Sequence, residues 1–497
     1  MGIVFRQSVK TTMVIFLGAL LGAFINYIYA FVLLKQQIGF ITNFVYQAGI
    51  AQLVVQIGTG SLLVTFAQKY ADNPAKRKAL ITFCATITLA ASIIFSIILL
   101  LAKDFVLSHY QLQDRPYINR YYNWMLLYIW LWSIMTQLEW YLLSQSKVAL
   151  GSFMREVVLR LCTIVLVVMV YYKLLSFSEF IIGTVLTHLV PIGIMVWVSA
   201  STKGFGLTTK LGVFSKAEYK EFIHFSWYHL LVNVSIYFMG YIDALMLAPL
   251  DKSGMESLAS YRWAYLIISV MTMPYRAMIN ASYPVLNQAY IDNNKSKLTD
   301  LFTRFGINSL VVAMAMFVLI ACNLDNVVRT LPGGQGYEVV KPIVIILMLG
   351  KMADMATGMN NEIISISKHY KFNFRLSLIL LLMVIIFNRI LIPEYSVYGA
   401  AWGTTLALII FNLVKFSFLW KKMDLLPFNN RSWLILVAAA VAMIPGWFLP
   451  YLDNTIVDII VRSACMMSIY IGLLLWLKPS EDLTTYIQSL IKNKRLY

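Results

Sequence analysis

Arg262, Ser269 and Arg276 stand seven residues apart in an otherwise largely apolar stretch. Seven residues make nearly two helical turns, so the three share one face, with the two guanidinium groups about 21 Å apart along the axis. An arginine facing hydrocarbon is costly, so that face is expected to line a cavity or a protein interface. A guanidinium presents a planar fork that matches phosphate oxygens, and two in line make a cationic track for an anionic headgroup. The plainer alternative is that Arg262 and Arg276 reach to opposite membrane interfaces or pair with carboxylates. Lys351 and Asp354, at i and i+3, can pair locally, or act as a switch whose partners separate when substrate or an ion arrives. Asp243 is another carboxylate in apolar surroundings, able to pair with Arg262 or to bind a proton or sodium ion. Glu139 and Arg160 read as structural.

Other chemistries lack their residues. The sequence has no nucleophile elbow, no phosphate-binding P-loop and no H-E-x-x-H zinc motif, and it holds only 5 histidines. Cys84, Cys162, Cys322 and Cys465 are scattered singly, so neither a disulfide framework nor a metal site is expected, and no cofactor is called for. The net charge of +17 raises a nucleic-acid partner. The lysines and arginines fall mostly in short loops between apolar runs, however, which is the pattern of membrane topology signals and anionic-lipid contacts. No nucleic-acid partner is expected.

The elements that must position these residues are membrane helices. Of 497 residues 60% are apolar, beyond the roughly 45–50% of soluble domains, so much of the surface faces something other than water. About fourteen apolar runs approach or reach the roughly 17–25 residues that cross a bilayer. Among them are Asn43–Phe66, Ile118–Leu143, Tyr228–Leu250, Leu258–Asn280, Val339–Asn361, Phe374–Ile392, Val397–Trp420, Trp433–Tyr451 and Ile456–Leu477. Period-two alternation is missing, which excludes a barrel. The start, Met1–Ala30, has the look of a signal peptide but is long enough to span, and reads as an uncleaved first helix. Basic residues alternate between loops, about 25 inside against about 8 outside, which places both termini in the cytoplasm. The expected division is a six-helix lobe over 1–204, a second over 205–424, two further helices over 425–478 and a basic cytoplasmic tail over 479–497. In that tail Leu483, Ile487 and Leu490 would lie on one side of an amphipathic helix. Tyr121, Tyr122, Trp124, Trp140 and Tyr141 read as interfacial aromatic belts rather than as sugar-stacking groups. Outer loops under about 20 residues leave little room for a membrane glycosyltransferase or polymerase.

Several stretches, in order along these spans, carry a family likeness: Gln56-Ile57-Gly58-Thr59-Gly60, Tyr241-Ile242-Asp243-Ala244, Ala259-Ser260-Tyr261-Arg262-Trp263-Ala264, Ala281-Ser282-Tyr283-Pro284, Ser365-Ile366-Ser367-Lys368 and Tyr398-Gly399-Ala400-Ala401-Trp402-Gly403-Thr404. On these the chain resembles the polysaccharide transporters, the Wzx-type lipid-linked oligosaccharide flippases of the MOP exporter superfamily. Ala244 stands where such proteins often carry a basic residue. The resemblance implies an all-α, MATE-like fold of two six-helix lobes around a cationic cavity in the bacterial inner membrane. It implies a polyprenyl-diphosphate-linked oligosaccharide moved from the inner to the outer leaflet by alternating access, for O-antigen, capsule or exopolysaccharide synthesis. Arg262, Arg276 and Lys351 would neutralise the diphosphate, and Asn26, Gln47 and Ser269 would line the wet part of the cavity. Asp243 and Asp354 would couple transport to a proton or sodium gradient, with a polysaccharide polymerase or assembly proteins as partners. Multidrug/cation antiport and flipping of the peptidoglycan precursor are the alternatives within the same superfamily.

Overall fold

Long apolar runs in hydrocarbon satisfy their own backbone groups only as helices, and helix is what they form. A computed structural model describes the chain except residues 1, 71, 146, 203, 211, 333–335, 480, 481 and 483–497; side chains of 2–12, 231, 232, 235, 236, 239, 370 and 447 also lie outside the description. Leu483, Ile487 and Leu490 of the expected tail helix therefore fall outside the described residues. Among the described residues there is no strand.

The first helices are α1 (Gly2–Val32), α2 (Lys35–Gln56), α3 (Thr59–Lys69), α4 (Pro74–Leu101), α5 (Lys103–Ser108) and α6 (Arg115–Ser144). Then come α7 (Val148–Phe153), a π-helical turn (Met154–Val158), α8 (Leu159–Tyr171), α9 (Phe177–Leu186), α10 (Leu189–Ala200) and α11 (Lys216–Leu250). The remainder is α12 (Met255–Ile291), α13 (Lys295–Arg329), α14 (Val340–Ala356), α15 (Asn360–Ile366), α16 (Tyr370–Met423), α17 (Trp433–Phe448) and α18 (Thr455–Leu477). Among the described residues seven helical stretches are long and apolar enough to cross a membrane, and two shorter apolar ones accompany them. Leu89, Ile93, Ile94, Ile97 and Ile98 of α4 are exposed together, a face that belongs against lipid. This is a multi-pass, all-α membrane protein.

Four expected spans differ in detail. Asn43–Phe66 is two helices, α2 and α3, because Ile57 (φ 47°) and Gly58 (φ 71°) are left-handed between them. Val339–Asn361 is likewise broken, between α14 and α15, at Gly358 (φ 71°). Spans Phe374–Ile392 and Val397–Trp420 lie within α16, whose axis is kinked at Ser396 (φ 55°, ψ −135°) next to Pro393. Gly399 is required there: a Cβ on it would stand 2.1 Å from the Leu391 carbonyl oxygen.

The chain forms two compact units, Met1–Ala259 and Ser260–Tyr497. In the first, α2 and α3 pack on α6 and on α11, and α1 packs on α7, the π turn and α8. α11 belongs to the first unit because it packs with α2 and α3. In the second, α13 packs on α14, α17 and α18, and α16 on α14 and α15. Ile435, Ala438, Ala439 and Ala442 of α17 meet Met466, Tyr470 and Leu474 of α18 over Leu310, Met314 and Val318 of α13. The alanines allow close approach, the packing that holds helices together where lipid removes the hydrophobic drive. Tyr121, Tyr122 and Tyr141 are no aromatic belt: each is at most 3% exposed, inside the first unit's core. Their ring area outweighs the attraction of the interface because neighbours on α4, α9 and the α10–α11 connection cover them; Tyr122 donates to the Leu99 carbonyl at 2.6 Å, Tyr121 to Ser178 Oγ at 3.2 Å, and the Tyr141 ring packs on Phe205.

Candidate functional site

Each unit carries a polar centre at a helix break. In the first unit the α2–α3 break leaves the Gln56 carbonyl without its helical partner, and Thr59 Oγ1 donates to it at 2.7 Å. Gln56 itself is buried and donates to the Ser133 carbonyl of α6 at 3.3 Å. Gly58 is indispensable to the bend, since its positive φ combines with a prospective Cβ only 2.1 Å from the Ser226 carbonyl oxygen of α11. Irregular backbone of this kind at membrane depth is tolerated where it lines a cavity.

Beside this break is a cavity of about 440 Å³ lined by Gln52, Gln56, Trp132, Trp140, Arg155 and Asn233, among others. Gly60 leaves room for the Trp140 indole, whose Cδ1 would stand 2.3 Å from a Cβ there. Trp140 thus lines the cavity. Arg155 and Glu156 reach it from the π-helical turn; π turns inside helices are frequent at functional sites. Arg155 Nη1 lies 2.7 Å from Glu139 Oε2, and Arg155 Nε lies 3.1 Å from Glu156 Oε1. Arg160 Nη2 in turn lies 2.7 Å from Glu156 Oε2. Gly18 and Gly22 of α1 seat this chain of charges, for a Cβ would meet Glu156 Cβ at 2.7 Å and Arg160 Nη1 at 2.9 Å. The Arg155 side chain remains 46% exposed, so its fork is held by two carboxylates yet accessible. Indole faces, amides and a guanidinium together suit a ligand with hydroxyl groups and negative charge.

In the second unit the α14–α15 break frees the Gly358 carbonyl, which accepts from Tyr275 Oη at 2.8 Å. Ser309 Oγ donates to the Met355 carbonyl at 2.7 Å. Lys415 of α16 is 1% exposed; its Nζ donates to Asn361 Oδ1 at 2.9 Å and sits 3.9 Å from the Phe411 ring centre. Asp354 and Glu362 both act on it electrostatically. Asn373 donates to Asn361 Oδ1 at 2.9 Å and to Ser365 Oγ at 2.7 Å. Asn360 Nδ2 and Oδ1 and Glu362 Oε2 are buried without hydrogen-bond partners, an expensive arrangement unless something else uses them.

The residues singled out in the sequence are dispersed over both units. On α12, Arg262 is half-buried and its charge is felt at the Tyr337 phenol, while Arg276 is exposed and makes no ion pair among the described residues. Ser269 spends its hydroxyl on the Leu266 carbonyl at 2.6 Å. Lys351 and Asp354 are half-buried on α14, but the ion pairs among the described residues do not include them. Asp354 instead acts on Lys415, Tyr275 and Glu362. In the first unit Asn26 donates to the Gly22 carbonyl at 2.7 Å, and Gln47 donates to the buried Tyr110 hydroxyl and to Asn43 Oδ1. Asp243 is half-buried on α11.

Arg155, Glu362 and Lys415 also belong to these polar centres, and their sequence contexts do not single them out. By position alone Arg155 reads as a loop charge marking topology. The signal for Lys415 is a lone lysine inside the apolar run Ile409–Phe418. Outside the spans, Glu218 accepts from Lys76 Nζ at 2.9 Å and from Tyr70 Oη at 2.9 Å at the start of α11. The Lys76 ammonium, with the Ser215 backbone N–H, holds its carboxyl at about 2.

Residues 4–290 match the family described as "Polysaccharide biosynthesis protein". The chain is 27% identical over 139 residues to the capsular polysaccharide biosynthesis protein CapF of Staphylococcus aureus, covering 28% of this chain and 35% of that protein. It spans about half or less of the length of the curated relatives it matches. The fold is similar to that of the lipid II flippase MurJ in an inward closed conformation, with a TM-score of 0.74 and 13% identity over 98% of this chain and 100% of that one. It is also similar to an inward-facing multidrug resistance MATE family transporter of the MOP superfamily, with a TM-score of 0.66 and 15% identity over 82% of this chain and 94% of that one. At these identities the likeness concerns the fold alone.

Proposed function

The chain belongs to the polysaccharide biosynthesis protein family, and from that membership we propose that it is a flippase which moves a polyprenyl-diphosphate-linked oligosaccharide from the inner to the outer leaflet. The observation that carries the reading beyond the family is the cavity of about 440 Å³ beside the α2–α3 break in the first unit. Its indoles, amides and the accessible Arg155 fork give a sugar-bearing anion what hydrocarbon denies it. The diphosphate is the part that cannot cross unaided; Arg262, Arg276 and Lys351 are the cations assigned to it, and the exposed, ion-pair-free Arg276 supports that assignment. Ser269, Asn26 and Gln47 are the side chains assigned to the sugar, each exchanging its internal hydrogen bond for a sugar hydroxyl, while the lipid tail stays in the bilayer. Alternation between inward- and outward-open forms performs the transport. Asp243 and Asp354 are the carboxylates through which a proton or sodium gradient drives it. The protein resides in the bacterial inner membrane with both termini cytoplasmic, and works beside a polymerase or other assembly proteins.

The test is the initial rate of transbilayer movement of a fluorescent polyprenyl-diphosphate oligosaccharide in proteoliposomes. Arg155→Ala, Arg276→Ala and Lys351→Ala are each expected to slow it by at least tenfold, the effect of losing one charge-assisted contact of about 1.5–3 kcal/mol. Three folded, correctly inserted variants that each move the lipid at the native rate would show that these cations do not carry the diphosphate.

A further inference from the structure

One cavity of the second unit plays no part in that transport path. It measures about 350 Å³ and opens where α12 ends, α13 begins, α15 passes into α16 and α16 ends. Its floor is apolar: Ala289, Leu298 and Leu425 are buried. Its wall carries Lys295, Lys368, Lys421 and Lys422, all exposed, with His369 between them; Asp424 is the one carboxylate. Four ammonium groups against one carboxylate give an excess of three positive charges around a recess the size of a small ligand site, about 300–1,000 Å³.

The backbone holds this wall open. Asn293 (φ 52°) turns the chain between α12 and α13, and Asp424 (φ 57°) turns it at the end of α16. The Tyr290 hydroxyl accepts from the Lys368 backbone N–H at 3.2 Å and so pins the α15–α16 connection to α12. His369 is fixed edge-on to Phe418, with ring centres 5.2 Å apart. The Asp424 carboxylate lies 3.3 Å from Lys295 Nζ. Both partners are largely exposed, so this pair is weakly held, and an incoming anion can displace it. Lysines without an arginine fork favour a compact, multiply charged anion over a planar carboxylate.

We propose that this recess is a phosphate-binding site on the cytoplasmic face, taking a phosphoryl or diphosphoryl group. The group comes either from an anionic lipid headgroup in the inner leaflet or from a free phosphate compound. The volume admits a headgroup and not acyl chains. The ligand is held by charge, so its affinity falls steeply as salt rises.

The experiment uses the full chain in nanodiscs and measures binding without any glycan lipid, so its result is independent of transport. One arm titrates inorganic pyrophosphate into discs of phosphatidylcholine alone; the other counts phosphatidylglycerol retained per protein by native mass spectrometry from mixed discs. The native chain is expected to bind in at least one arm, and which arm identifies the source. Lys368→Gln/Lys421→Gln/Lys422→Gln is expected to bind roughly 100-fold more weakly, at about one kcal/mol per lysine. Asp424→Asn is expected to bind more tightly than native. These side chains are exposed, so the variants should melt as the native chain does. No binding in either arm, or equal binding by the native chain and the triple variant, overturns the proposal.

Discussion

Replacing Gly58 with alanine tests the helix break on which the first unit's cavity depends. Two costs add. An L-residue at φ 71° carries roughly 1–2 kcal/mol of strain. The new methyl would also stand 2.1 Å from the Ser226 carbonyl oxygen and 2.9 Å from its carbon, where ordinary contacts are 3.4–4 Å. The obstructing atoms are α11 backbone, which cannot swing aside as a side chain can. Relief requires α11 to shift from α3 by more than an ångström, an overpacking cost of about 1–3 kcal/mol. The sum is about 2–5 kcal/mol, or a fall in Tm of roughly 5–15 °C for a unit of this size. Thermal unfolding in detergent, followed by tryptophan fluorescence, reads it. Gly193→Ala in α10 is the control: nothing lies within 4 Å of its added methyl. An alanine there should leave Tm unchanged or raise it. If the Gly58 and Gly193 variants melt within a degree or two of each other, neither the positive φ nor the α11 backbone constrains the break.

Glu218 gives a pH signature. Its carboxyl sits at about 2 in the folded chain, against roughly 4.3 when unfolded, so the unfolded state binds more protons between those values. The stabilisation is complete above the unfolded value and is lost as pH falls through the folded one. A glutamine in its place can keep the reciprocal cap with Ser215 while losing the charge. The native chain should therefore melt above Glu218→Gln at pH 7 in low salt, with the gap narrowing below pH 5 and closing near pH 2; a gap independent of pH would count against it. Arg462 and Asp458 of α18 form a buried pair, 1% and 3% exposed. Arg462→Ala should cost about 3–5 kcal/mol by leaving Asp458 uncompensated, and Arg462→Met with Asp458→Asn should recover most of the loss in Tm. A double variant no better than the single one would show that the bonds from Arg462 to the Gly446, Leu449 and Pro450 carbonyls carry the stability instead.

Length and apolarity make the helices legible, because a run able to cross hydrocarbon has no other way to satisfy its backbone. Breaks within runs are not legible. Gln56-Ile57-Gly58 and Thr357-Gly358-Met359 look continuous in hydropathy, and the contacts that accompany the left-handed turns, the Ser226 carbonyl against Gly58 and the Tyr275 hydroxyl on the Gly358 carbonyl, are tertiary. Helix periodicity places Arg262, Ser269 and Arg276 on one face, yet it does not fix that helix's rotation. For that reason Ser269 satisfying its own helix is hidden. Arg155 is concealed for a different reason: at a span's edge a basic residue has an ordinary topological explanation, and only the π turn beside Glu139 and Glu156 gives it another role. Tyr121, Tyr122 and Tyr141 mislead in the same way, since residue type alone does not distinguish a belt at the interface from a core beneath it.

The native chain alone, reconstituted in proteoliposomes and offered three cargoes in parallel, a polyprenyl-diphosphate oligosaccharide, the peptidoglycan precursor and a fluorescent organic cation, distinguishes a glycan-lipid flippase from its alternatives. A flippase of this kind moves the oligosaccharide lipid across the bilayer in a protein-dependent way, and does not move the cation. Efflux of the cation with the oligosaccharide lipid left in its original leaflet would contradict it and make the chain an antiporter; movement of the peptidoglycan precursor alone would keep the diphosphate chemistry and overturn the glycan.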